Sequence, residues 1–216
     1  MTSFEELPLP VQDQLVKAAA ELRATFDGVV ADDVVNEFVA TSYRQLDATA
    51  RVTSFLPLMA ARLARQRLEA FVATNAHAAD VPTVLFLCVQ NAGRSQMALG
   101  WLRALGGTSV LGWSGGSLPA DQLHAESVKA MAEAGIDIAA EVPKPWSTDI
   151  VGAADVVVTM GCGDDCPFYP SIRYEDWDVA DPHDADLEGV RAIRDDLERR
   201  VRALLDSLGV APDTAR

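Results

Sequence analysis

Eight consecutive residues, Cys88-Val89-Gln90-Asn91-Ala92-Gly93-Arg94-Ser95, put a nucleophile, a cation and a hydroxyl into one short stretch. A cysteine and an arginine separated by five residues make a compact holder for a tetrahedral oxyanion. The N–H groups of Val89, Gln90, Asn91, Ala92, Gly93 and Arg94 can turn inward around the anion, and a helix starting at the end of the stretch adds its positive pole. Gly93 permits a turn that a side chain would obstruct. Arg94 presents a planar fork matched to two anion oxygens. The same donors favour a thiolate at Cys88, and Ser95 is placed to donate one more hydrogen bond to that sulfur. Asn91 is expected to brace the loop.

Only three cysteines occur, Cys88, Cys162 and Cys166. An odd and sparse count does not read as a secreted disulfide framework, so these thiols are expected to be chemical. A zinc site would combine Cys162 and Cys166 with Cys88 and either His124 or His183, but a second closely spaced ligand pair is missing. Neither a metal nor a cofactor is therefore expected. Asp181-Pro182 has the composition of a turn, and Asp181 is also a candidate acid. His124 reads as a helix-entry residue.

The surrounding pattern positions the loop. Val81 to Leu87 is a continuous apolar run of the kind a buried parallel strand shows, and a helix is expected from Ser95 to Leu105. The loop then lies at the carboxyl end of a strand, where open α/β sheets bind ligands. A strand around Ser109 to Trp113, a helix from Asp121 to Ala134, a buried strand from Ala154 to Met160 and a helix from Leu187 to Leu208 continue the alternation. This predicts an α/β fold with a doubly wound parallel sheet. Residues 1–75 differ. Stripes at Leu15, Ala18, Leu22 and Phe26, at Val34, Val35, Phe38, Val39, Tyr43 and Leu46, and at Phe55, Leu58, Met59, Leu63, Leu68 and Phe71 predict a small all-α three-helix bundle. Residues 75–80 read as the linker, which gives domains at 1–75 and 81–216.

Length and charge narrow the function classes. The chain has 216 residues, 49 % of them apolar, with 18 basic and 32 acidic groups for a net charge of −14. Nucleic acid and anionic membrane are disfavoured as partners. Residues 76–216 carry 22 acidic against 11 basic groups, so an anion must bind in a local pocket of dipoles and arginine against the overall field. No apolar stretch approaches a membrane span and no signal segment is visible, which points to the cytoplasm.

With Cys-x5-Arg-Ser closing a strand and Asp181-Pro182 downstream, the chain resembles the low-molecular-weight protein tyrosine phosphatase superfamily. Val157 to Pro167, with Cys162 and Cys166 inside it, is similar to the thioredoxin-coupled arsenate reductases of that superfamily. The likeness runs from Thr83 to about Leu208 and includes Ser114-Gly115-Gly116 and Trp177; residues 1–75 resemble an N-terminal helical module of some actinobacterial members. The resemblance implies arsenate as substrate, phosphate as competitor and thioredoxin as reductant. Cys88 would be the nucleophile, Cys162 and Cys166 the first and second resolving cysteines, and Asp181 the general acid. Some reductases of the branch hold potassium with an acidic residue eleven positions after the nucleophile; Leu99 stands there, so no such ion is expected.

Two other readings compete. A phosphatase needs only Cys88, Arg94 and Asp181, and would leave Cys162 and Cys166 without work. A regulatory module could bind an oxyanion without turnover. The apolar helical module is expected to pack on something, and a homodimer through these helices is the favoured arrangement.

Overall fold

The computed structural model describes residues 4, 7, 9–48, 50, 53–75, 81–161 and 168–211. Two compact units divide the chain, Met1–Ala78 and Ala79–Arg216.

The first unit contains α1 (Leu9–Thr25), α2 (Asp32–Asp47) and α3 (Leu56–Asn75). In α1 the buried stripe is Leu15, Ala19 and Leu22, continued by Phe26 just past the helix, with Ala19 in place of the expected Ala18. A larger difference occurs in α3. Phe55 and Leu58 are 66 % and 49 % exposed, while Leu56, Ala60, Leu63, Ala64 and Leu68 are buried. The stripe is carried partly by alanines, whose size lets the helices approach closely, whereas the sequence pattern weighted the bulkier residues. Arg67 lies with its guanidinium 4.9 Å from the centroid of the Phe38 ring and donates to the Thr41 and Ser42 hydroxyls, joining α3 to α2.

The second unit is a four-stranded sheet in the order β2-β1-β3-β4, parallel throughout. The strands are β1 (Thr83–Cys88), β2 (Leu111–Gly116), β3 (Val156–Met160) and β4 (Arg173–Asp176). Helices α4 (Arg94–Gly106), α5 (Ala125–Glu133), α6 (Thr148–Gly152) and α7 (Leu187–Ser207) flank it. Central β1 is buried along its whole length, which its unbroken apolar run requires. Val84 and Phe86 on one face join Leu102 and Leu105 of α4, Met131 of α5 and Leu197 and Val201 of α7 in the main core. This is the doubly wound α/β architecture that the alternation of periods predicts.

Three details depart from the expected pattern. Ser109 belongs to a turn of 3-10 helix, and β2 instead runs on to Gly116. Helix α5 begins at Ala125, because the His124 side chain caps it by accepting the Ser127 N–H. Strand β4 is a polar edge strand, Arg-Tyr-Glu-Asp, without the apolar signal that identifies buried strands. Among the described residues no helix is long and apolar enough to cross a membrane.

Candidate active site

The Cys88–Ser95 loop joins the carboxyl end of β1 to the start of α4, as its sequence position predicts. What curls it is visible in its carbonyls. Those of Cys88, Val89, Gln90 and Ala92 accept the N–H groups of Ser117, Leu118, Ala120 and His124, from the segment that runs out of β2 toward α5. The Asn91 carbonyl accepts from the Gln96 side chain, and that of Gly93 from Met97 N–H. With each carbonyl from Cys88 to Gly93 held by a partner, the N–H groups of Gln90, Ala92, Gly93 and Arg94 have no acceptor among the described residues. They form one donor-rich concavity at a helix N-terminus.

Cys88 stands at its floor, 2 % exposed. Its sulfur lies 3.0 Å from Ser95 Oγ and accepts the Asn91 N–H at 3.2 Å. The direction of the Ser95 contact follows from its neighbours. The backbone N–H of Lys144 donates to Asn91 Oδ1 at 3.0 Å, which fixes that amide and turns its Nδ2 toward Ser95 Oγ at 2.8 Å. Ser95 therefore accepts from Asn91 and spends its own proton on Cys88. Two donors thus converge on the sulfur.

Asn91 adopts φ 49°, the left-handed region that asparagine tolerates better than most residues. The unusual backbone turn falls on Asn91, whereas Gly93, expected to supply it, has φ −128°. Glycine is needed at Gly93 for closeness: a Cβ there would stand 2.7 Å from Pro182 Cγ. Gly116 has a similar role at the end of β2, where a Cβ would meet the Val89 carbonyl oxygen at 2.5 Å.

Arg94 closes the site from the far side. Its guanidinium, 12 % exposed, pairs with Asp181 at 2.6 Å (Nη2 to Oδ2) and also reaches the Val179 carbonyl. Asp181 Oδ1 accepts the His183 N–H, so the carboxylate is held in a tight turn. Gly161, at φ 75°, passes the other edge of the guanidinium; a Cβ there would lie 3.1 Å from Nη1. A pocket above the sulfur is bounded by Arg94, His124, Asp181, Pro182 and His183. The structure thus brings Cys88, Arg94, Ser95 and Asp181 together around the loop of Val89, Gln90, Asn91, Ala92 and Gly93. Cys162 and Cys166 lie outside the described residues. His124 was legible only as a helix entry; its place in the pocket depends on the Ala92–His124 backbone bond, which leaves no mark in the sequence.

Residues 83–212 match the family described as low molecular weight phosphotyrosine protein phosphatase. The chain belongs to this family. Residues 15–72 match a second description, the protein-tyrosine-phosphatase-like N-terminal domain. Among curated relatives, a putative arsenate reductase of Halobacterium salinarum is 41 % identical over 126 residues, which is 56 % of this chain and 89 % of the relative. An arsenate reductase of Bacillus licheniformis is 36 % identical over 58 % of this chain and 96 % of its own. Of the solved structures, a Corynebacterium glutamicum thioredoxin-dependent arsenate reductase superposes with a TM-score of 0.76 at 37 % identity, over 91 % of this chain and 97 % of that one. The family match and the geometry agree in scaffold: a buried cysteine, an arginine and a carboxylate lie together at the carboxyl end of a parallel sheet.

Proposed function

We propose that this chain is an arsenate reductase that works by a three-cysteine relay and is regenerated by thioredoxin. The observation that carries the reading is the donor-lined Cys88 loop with Arg94, in a chain that holds two further cysteines. A hydrolase of this design would not need them. The names of the Halobacterium, Bacillus and Corynebacterium relatives support the substrate, and the last supports the reductant.

The reaction follows from the chemistry of the groups. The Cys88 thiolate attacks arsenic and forms an S–As bond, while an arsenate oxygen leaves as hydroxide or, protonated by Asp181, as water. The Cys162 thiolate then attacks the Cys88 sulfur. A Cys88–Cys162 disulfide forms, the S–As bond breaks, and its electron pair leaves with arsenic, which departs as arsenite. Cys166 attacks the Cys162 sulfur and frees Cys88 as a thiolate. The Cys162–Cys166 disulfide takes two electrons from the dithiol of thioredoxin. Phosphate, a tetrahedral oxyanion without an accessible reduction, acts as a competitor. The chemistry belongs to residues 81–216, in the cytoplasm; the helical module of residues 1–75 serves a homodimer, which sedimentation as a monomer at micromolar concentration would refute.

The test is arsenate-dependent oxidation of NADPH with purified thioredoxin and thioredoxin reductase. Turnover is expected in the intact chain and is lost in Cys88→Ser, Cys162→Ser and Cys166→Ser, and one turnover without reductant lowers the mass by two hydrogens. Vigorous phosphate-ester hydrolysis that survives in Cys162→Ser/Cys166→Ser, without arsenate turnover, would select the phosphatase reading that Arg94 and Asp181 also allow. Oxyanion binding with no product under any reductant would select a regulatory module.

A further inference from the structure

Gln96 belongs to neither the loop nor the pocket wall above the sulfur, yet it is fully buried at 0 % exposure in the first turn of α4. Its Nε2 is within hydrogen-bonding reach of three carbonyl oxygens: Asn91 O at 3.1 Å, Asn91 Oδ1 at 3.1 Å and Val142 O at 3.3 Å. These acceptors fix the orientation of the amide, because the reversed one would set Oε1 against all three. In the orientation they dictate, Oε1 is buried with no partner among the described residues. A buried acceptor left unpaired is unfavourable, and an apolar side chain of the same size would avoid it. The benefit that offsets it lies at the Nε2 end.

That end grips the one residue of the loop in the left-handed region, Asn91, by both its main-chain and its side-chain carbonyl. Asn91 in turn delivers two hydrogen bonds to the nucleophile, directly through its N–H and indirectly through Nδ2 and the Ser95 hydroxyl. Drawing electron density toward Asn91 Oδ1 makes the Nδ2 hydrogens better donors, and the effect passes along Ser95 to sulfur, since chained hydrogen bonds polarise one another in a low-dielectric interior. We infer that Gln96 is a positioning residue for the nucleophile: by clasping both carbonyls of Asn91 it holds the loop in the conformation that stabilises the Cys88 thiolate. The inference rests on the reading of Cys88 as the nucleophile.

The experiment uses the full chain carrying Cys162→Ser/Cys166→Ser, in which Cys88 is the only thiol. The rate of its alkylation by iodoacetamide is measured against pH, with and without arsenate. Gln96→Met, which keeps the length and removes the donor, is expected to raise the midpoint by about half to one pH unit, a roughly three- to tenfold slower alkylation at pH below both midpoints. In the Asn91→Ala background, which keeps the main-chain carbonyl and loses the side-chain one, the same substitution is expected to move the midpoint by clearly less. Gln96→Glu keeps the shape, sets a carboxylate against the Asn91 carbonyls and raises the midpoint too; it serves if the methionine variant does not fold. An unchanged midpoint in a folded Gln96 variant overturns the inference, as does an equal shift with Asn91 already removed. Failure of the underlying reading looks different: arsenate would then not protect Cys88 from alkylation even with Gln96 in place.

Discussion

Arg94 and Asp181 face each other at 2.6 Å across the mouth of the loop, the guanidinium nearly buried and the carboxylate 56 % exposed. The fork that would hold two oxygens of a bound oxyanion is engaged by a carboxylate in this structure. An incoming dianion competes with Asp181 for Arg94, and it is repelled by Asp181 unless that group carries a proton. On the proposed mechanism one residue therefore acts on both binding and chemistry, in opposite directions.

Asp181→Asn separates the two. It removes the proposed proton donor and should lower kcat by about 10²- to 10⁴-fold. It also removes the negative charge beside the anion, so the KM for arsenate should stay level or fall. Steady-state kinetics with thioredoxin and its reductase would show the split, and a KM that rises while kcat holds would contradict it.

The left-handed backbone of Asn91 supplies a graded test. Asn91→Gly and Asn91→Ala both remove the amide that links Ser95, Gln96 and Lys144, and both should slow alkylation of Cys88. Alanine additionally carries its Cβ into the left-handed region, so Asn91→Ala should be less stable than Asn91→Gly by about 1 kcal/mol. Urea unfolding of the two variants measures the difference, and equal midpoints would count against strain at this position.

Crowding at Gly93 predicts a remote effect. A methyl group there would press on Pro182 Cγ, the residue after Asp181. In Gly93→Ala the Asp181-Pro182 turn must shift relative to the loop, and kcat should fall while the far-ultraviolet circular dichroism is retained. Gly116→Ala meets a backbone oxygen, which cannot rotate aside as a side chain can. It should weaken phosphate binding measured by calorimetry more than Gly152→Ala, where a Cβ meets nothing within 4 Å.

A pH test concerns the scaffold. Arg191 on α7 forks onto Glu133 at the end of α5, with contacts of 2.7 and 2.8 Å. The hydrogen bond from Arg191 holds the Glu133 carboxyl below its ordinary value of 4.5. A carboxylate lowered on folding stabilises the protein above its unfolded value, and loses that contribution as the pH falls through the folded one. Glu133→Gln should therefore melt at a lower temperature than the parent at pH 7, with the gap closing as the pH drops below 4.5. Parallel melting curves across that range would refute the clasp.

The sequence was most informative where one residue type answers to one physical demand. Cys88, Arg94 and Ser95 were legible because strand, loop and helix follow one another without a gap, and the unbroken apolar run of β1 announced a buried parallel strand. The helices of the N-terminal unit were legible in period, but the buried face of α3 only in part: Leu63 and Leu68 lie on it as expected, whereas Ala60 and Ala64 carry little signal beside the exposed Phe55 and Leu58. Strand β4 stayed hidden because an edge strand with polar residues has no buried face to mark it. The parts played by Gln96 and His124 were invisible for another reason. Each depends on which carbonyl of the loop happens to face it, a fact of three dimensions that no spacing along the chain encodes.

The outward-facing carbonyls of residues 88–93 have one more consequence. Because their partners fix them when the chain folds, the ring of dipoles is set before any ion arrives, and little has to reorganise on capture. Such a rigid mould measures shape and charge, and arsenate and phosphate present almost the same tetrahedron. On the proposed reaction, selection between them therefore falls after capture, at the moment when sulfur asks the central atom to accept an electron pair: arsenic can leave in a lower oxidation state, and phosphorus would depart as it came.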